Sequence, residues 1–194
     1  MWYPASVTVA AASAPVTADD VKLRLRIDAA DDASDVALMI ASATGHVEKY
    51  CNTRLATQTV VMKCDAFSDF AYLPEAPVQS VTGITYVDTD GATQTLATSV
   101  YEMRADGLEA AIVLKHGQSW PATQQSSRIS VTAVVGYAAV PDAVKHAILL
   151  LIGDAYLNRE SVDLPAGARP VPGALWVAGW STTDSLLANY RRGA

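Results

Sequence analysis

Cysteine is scarce in this sequence, with only Cys51 and Cys64 among 194 residues. Two thiols cannot make a disulfide framework, and so few of them suit a reducing cytoplasm. Positive charge is also short: 14 Lys and Arg face 20 Asp and Glu, a net charge of −6. A field of that sign repels phosphate, which argues against tight nonspecific DNA binding but not against DNA passing nearby. Long apolar runs are missing as well. The most apolar stretch, "AVKHAILLLIGDAYLNRES" at 143–161, is uninterrupted only from Ala147 to Ile152. A membrane-spanning helix needs roughly 20 such residues. The opening "MWYPASVTVAAASAPVTADD" lacks the basic start of a signal peptide, and residues 1–16 read as a loose N-terminal arm.

Chemical signatures are equally thin. His46, His116 and His146 are scattered and fall in no zinc-ligand spacing. The "DTDG" at 88–91 has too few acids for a calcium loop and reads as a turn. No Walker loop and no GxSxG occurs, and Asp31, Asp32 and Asp35 sit where a helix start explains them. The expectation is a protein without catalytic residues, metal or cofactor.

What is present is a change of periodicity along the chain. Thr17 and Asp20 have capping-box spacing and open a helix over about 18–26. Val36, Met39, Ile40, Ala43, Val47 and Tyr50 recur at helical steps over about 33–50, and Asn52 follows as a stop. From 57 to 135 the pattern turns to short strands rich in Val, Ile, Thr and Tyr: 57–64, 80–87, 92–97, 100–104, 111–115 and 128–135. Within them "YVDTDGATQTL" is a hairpin turning at Asp90-Gly91. Ile129, Val131, Ala133 and Val135 alternate as one buried face. Pro141 and Asp142 then open a long helix to about 159, with Val144, Ile148, Leu151 and Ala155 as its stripe and Ala147 and Ile152 widening it. "LPAGARPVPG" interrupts at 164–173, and a last helix covers about 182–191. The fold class is α+β: a small helical bundle with an inserted antiparallel β region and a C-terminal helical arm. Residues 17–160 form the main domain, and 161–194 the linker and arm.

The order of these pieces carries a resemblance. "LRLRID" followed by "DDASDVALMIASATGHVEKYCNTRLATQT", then "YLPEAPVQSVTGITYVDTDGATQTLATSVYEM", "GQSWP" and "ISVTAVVGYAAVPDAVKHAILLLIGDAYLNRE", with "LLANYRR" last, resembles the head–tail connector (adaptor) proteins of long-tailed phages and of phage-derived gene-transfer agents. The likeness covers roughly 17–160 and 184–192, and departs from the family at 1–16 and 161–180. It implies a virion structural protein assembled in the bacterial cytoplasm into a ring, commonly of twelve copies, beneath the portal protein. That ring extends the DNA channel, without sequence-specific DNA binding, and carries the next neck or tail-completion protein. A stopper or tail-completion protein is the nearest alternative, and a small enzyme or ligand-binding domain a more distant one.

Two sets of residues are candidates for assembly. Trp176, Trp180, Leu186, Leu187, Tyr190, Arg191 and Arg192 gather aromatic, apolar and guanidinium groups after the Pro/Gly-rich linker, the composition of interface anchors for a portal or a neighbouring subunit. Arg24, Arg26, Arg54, Asn158, Arg159 and Glu160 supply polar and charged groups for contacts around a ring.

Overall fold

The computed structural model describes residues 1–26, 33–157 and 182–193. They divide into two compact units, one of Met1–Ala12 with Asn52–Ala139, the other of Ser13–Cys51 with Val140–Ala194.

The first unit is built of strands β1 (Ser6–Val9), β2 (Gln58–Cys64), β3 (Val78–Val87), β4 (Thr93–Thr95), β5 (Tyr101–Asp106), β6 (Glu109–Leu114) and β7 (Ile129–Val135). Five pair antiparallel in the order β1-β2-β7-β3-β4, and β5-β6 form a separate two-stranded ribbon. The alternation expected for β7 holds: Ile129, Val131, Ala133 and Val135 are all buried. Val60, Met62 and Cys64 of β2, Ile84 of β3 and Ile112 of β6 join them in one core. Period-two spacing places each set on one face of its strand, and burying that face removes it from water.

An aromatic cluster closes this core, around a short 3-10 turn at Phe67–Ala71 within the region expected to be wholly strand and turn. Phe67 stacks on Trp120 with ring centroids 4.8 Å apart and meets Phe70 edge-on at 5.4 Å. Trp2 lies against Phe70 at 6.1 Å, and its indole N–H donates to the Asp69 carbonyl at 3.0 Å. The first residues are therefore no loose arm. The Tyr3 N–H donates to the Lys63 carbonyl at 2.9 Å, Ser6–Val9 is an edge strand on β2, and Arg128 lies over the Tyr3 ring at 4.0 Å. Ser6-Val7-Thr8-Val9 alternates, but over four exposed residues that is too short to fix a strand alone; pairing with β2 does so.

The second unit holds α1 (Ala18–Leu25), α2 (Ala33–Cys51), α3 (Asp142–Leu157) and α4 (Thr182–Leu187), the last continued by a 3-10 turn at Ala188–Tyr190. The capping box is formed: the Asp20 N–H donates to Thr17 Oγ1 at 3.2 Å, and the Thr17 N–H to the Asp20 carboxylate at 2.9 Å. Val16 and Val21, both buried, flank that cap in the positions of a hydrophobic staple. Helix α1 stops where Arg26 turns left-handed at φ 54°, and α2 is followed by Asn52 at φ 52°. Asparagine adopts that conformation more readily than most residues. Val36, Ile40, Ala43, Val47 and Cys51 are the buried stripe of α2.

Helix α3 departs from its expected stripe. Val144, Ala147, Ile148 and Ile152 are buried, whereas Leu151 is only half-buried and Ala155 is exposed. Helices α1, α2 and α4 all pack on α3, which turns its deepest face toward that set rather than along one seam.

Candidate interaction surfaces

In the helical unit, α1 and α3 border an open groove of about 640 Å³. Leu23 and Leu149 line it with the cations Arg24, Arg26 and Lys145, and with Asp20. The capping geometry explains the acid: its hydrogen bonds from the Thr17 side chain and backbone hold the Asp20 carboxyl below its ordinary range, and Lys145 adds to the effect. Arg24 of α1 and Arg26 at its C-terminal cap are exposed here, and Leu23 is 82% exposed, unusual for a large apolar side chain. Lys145, Leu149 and Leu23 were invisible as a group in the sequence, because the groove forms only when residues about 120 positions apart are brought together.

A second, more apolar groove lies between α2 and α3, lined by Leu38, Met39, Ser42, His46, Leu151 and Ala155.

The C-terminal candidates are tied to the end of α2. Leu187 and Arg192 are buried, and the Arg192 N–H donates to the Cys51 carbonyl at 2.8 Å. The Arg191 guanidinium sits over the Tyr50 ring at 5.0 Å. Hydrogen bonding to Asp184, with burial second, pushes the Tyr50 phenol above its ordinary value. Leu187 and Arg192 thus pack within their own unit, while Arg191 stays exposed and Leu186 and Tyr190 are half-buried. Trp176, Trp180, Asn158, Arg159 and Glu160 lie outside the described residues.

Arg54 belongs to the β unit and is engaged there. Its Nε donates to Glu75 Oε2 at 2.7 Å and its Nη2 to Oε1 at 3.3 Å, a fork-on-carboxylate pair. The unit also extends an acidic hairpin: Asp106 and Glu109 pair across the two-residue connection Gly107-Leu108 at the end of β5-β6. Gly107 has φ +65°, the left-handed value that the tight hairpin turns demand.

Among the described residues no group of three or more His, Cys, Asp or Glu side chains could hold a metal ion, and no helix is long and apolar enough to cross a membrane. Burial pushes the Cys51 thiol up to about 11 and the Cys64 thiol to about 12, so neither is primed as a nucleophile.

Comparison with known proteins agrees with a structural part. No curated protein matches the sequence. Three solved chains share the fold over nearly the whole length. One is from the "neck of native GTA particle computed with C12 symmetry", with TM-score 0.73, 18% identity and coverage of 99% of this chain and 97% of that one. Another is from the "neck of empty GTA particle computed with C6 symmetry", with TM-score 0.72, 19% identity and coverage of 99% and 97%. The third is from the virion of a native gene transfer agent particle, with TM-score 0.72, 19% identity and coverage of 98% and 96%. Residues 15–163 match the head completion protein family. The matched span takes in α1, α2, every strand from β2 to β7 and α3, so the chain belongs to the head completion proteins, the head–tail connector family that its ordered motifs resemble.

Proposed function

We propose that this head completion protein is a non-enzymatic subunit of a ring in the neck of a phage or gene-transfer-agent particle. There it sits under the portal protein, extends the DNA channel and carries the next neck or tail-completion protein. The observation that carries this reading is the whole-length likeness to chains from particle necks computed with six-fold and twelve-fold symmetry. A twelve-copy ring is the proposed stoichiometry.

Side-by-side subunits in such a ring use two different faces. Arg24 and Arg26, with Asn158, Arg159 and Glu160, serve as ring contacts. Arg54 contributes through its ion pair with Glu75. Toward the portal or a neighbouring subunit the anchors are Trp176, Trp180, Leu186, Tyr190 and Arg191, with Leu187 and Arg192 holding the last helix in place. DNA passes without sequence-specific binding, which the −6 net charge favours because phosphate contacts dominate such affinity.

Cryo-electron microscopy of particles carrying this chain tests the reading. A ring of copies between portal and tail is the expected result, and a copy number of one or two per particle overturns it. Trp176→Ala with Trp180→Ala tests the anchors: the folded variant should no longer co-purify with portal-containing particles. Substitution serves better here than truncation after Gly173, which would also remove Leu187 and Arg192 from the helical unit.

A further inference from the structure

We propose that the α1–α3 groove receives the tip of the β5-β6 ribbon from a second copy of this chain. The inference rests on the ring reading and names the contact that would close the ring. Among the described residues the groove gathers Arg24, Arg26 and Lys145 against the carboxylate of Asp20, a local excess of positive charge on a chain of net −6. Asp20 is already held by its own cap, at 2.6 Å from Thr17 Oγ1. Lys145 faces Asp20, whose carboxyl it helps to hold down, and the fully exposed Asp142 at 3.7 Å. Leu149 and Leu23 are large apolar side chains of its lining, and Leu23 is 82% exposed. A fitting occupant therefore carries carboxylates around an apolar side chain.

The ribbon tip has that composition. Asp106 and Glu109, both exposed, flank Leu108 at the end of a two-residue turn. The other acidic turn, at Asp88–Gly91, does not. No apolar side chain larger than alanine lies in it, so it has nothing to set against Leu149 and Leu23. The groove volume of about 640 Å³ lies within the roughly 300–1,000 Å³ of sites that enclose a small ligand, room for the few side chains of a hairpin end. Charge also sets direction. Groove against groove and tip against tip both repel, so the contact is groove against tip, and repeated head to tail from copy to copy it closes a ring.

Cross-linking tests the contact in assembled necks. Particles made with the L23C/L108C chain, oxidised and run without reductant, should show a ladder of covalent multimers of this chain. Either single variant should show none beyond a dimer, because Cys51 and Cys64 are buried. In a second measurement, Arg24→Glu with Arg26→Glu should weaken neck assembly about tenfold or more, and Asp106→Lys with Glu109→Lys in the same chain should restore it. Circular dichroism confirms that each variant folds. Monomer alone in the double-cysteine lane, a cross-link to a different protein, or charge reversal without effect overturns the contact while leaving a ring seen by microscopy intact. Absence of any ring in the unmodified particle overturns both readings.

Discussion

Cys51 and Cys64 show how burial alone sets the chemistry of a residue. Both are fully enclosed, and desolvation disfavours the thiolate, which is the form that attacks electrophiles. With the thiols at about 11 and about 12, iodoacetamide at pH 8 should leave the native protein unmodified, whereas two additions should appear in guanidinium. Intact mass spectrometry reads the difference, and rapid labelling of the native state would contradict the packing. Gly136 is a second residue-scale case. It has φ +99°, and a Cβ there would lie 2.2 Å from the Ala56 carbonyl oxygen and 2.6 Å from its carbon. Backbone atoms cannot step aside as a side-chain end can. Gly136→Ala should therefore lower the denaturation midpoint by the equivalent of about 1–3 kcal/mol for overpacking, with left-handed strain in addition. Nothing local warns of this, since a glycine in "VGYAAV" looks like any strand end until Ala56 arrives beside it.

At the scale of the element, the β3–β4 hairpin divides into a legible and an illegible part. Asp90-Gly91 announced the turn, and Gly91 takes φ +83°. Asp88 holds the loop, accepting from the Asp90 N–H at 3.0 Å, the Ala92 N–H at 2.9 Å and Gln94 Nε2 at 2.8 Å. The bond from Gln94, followed by that from the Ala92 N–H, holds the Asp88 carboxyl below its ordinary value of 3.8. A folded-state value below the unfolded one stabilises the turn above the unfolded pKa, and that stabilisation disappears as pH falls through the folded value. Amide exchange at Asp90 and Ala92 should accordingly lose protection, relative to the β7 amides, as the pH drops below about 4. Asp88→Ala should remove the protection at neutral pH as well. Unchanged protection in that variant would show that the backbone turn stands without the carboxylate. Helix α1 lies at the other extreme: Thr17 and Asp20 have the right spacing in the sequence and form their cap in the structure. A capping box spans only a few residues, so it needs no partner from elsewhere.

For the whole molecule, net charge governs the relation to DNA. A chain at −6, with 14 Lys and Arg against 20 Asp and Glu, has few groups to offer a phosphate backbone. Fluorescence anisotropy with a labelled duplex at physiological salt should find binding weaker than about 10⁻⁴ M, the loose end of nonspecific affinities. Micromolar binding with a steep salt dependence would mean that a continuous basic surface exists and that the channel wall grips its cargo.

The sequence by itself determined the class of the molecule and the order of its elements: helical spacing, then alternation, then helical spacing again. The ordered series of motifs also pointed to the connector family that the 15–163 match identifies. These signals are local, read from spacings of two, three or four residues. Tertiary structure alone decided which strands are neighbours. The last strand, β7, lies between β2 and β3, and Ser6–Val9 became a strand only because β2 offers its edge. It decided too that Arg54 meets Glu75, that Arg192 is buried beside Cys51, and that Arg24 and Arg26 share a groove with Lys145. The physical reason is distance along the chain. A cap or a helical stripe is fixed by neighbours within a few residues, whereas a pairing partner, a half-buried ion pair or a groove depends on segments that meet only after the chain has collapsed around its core.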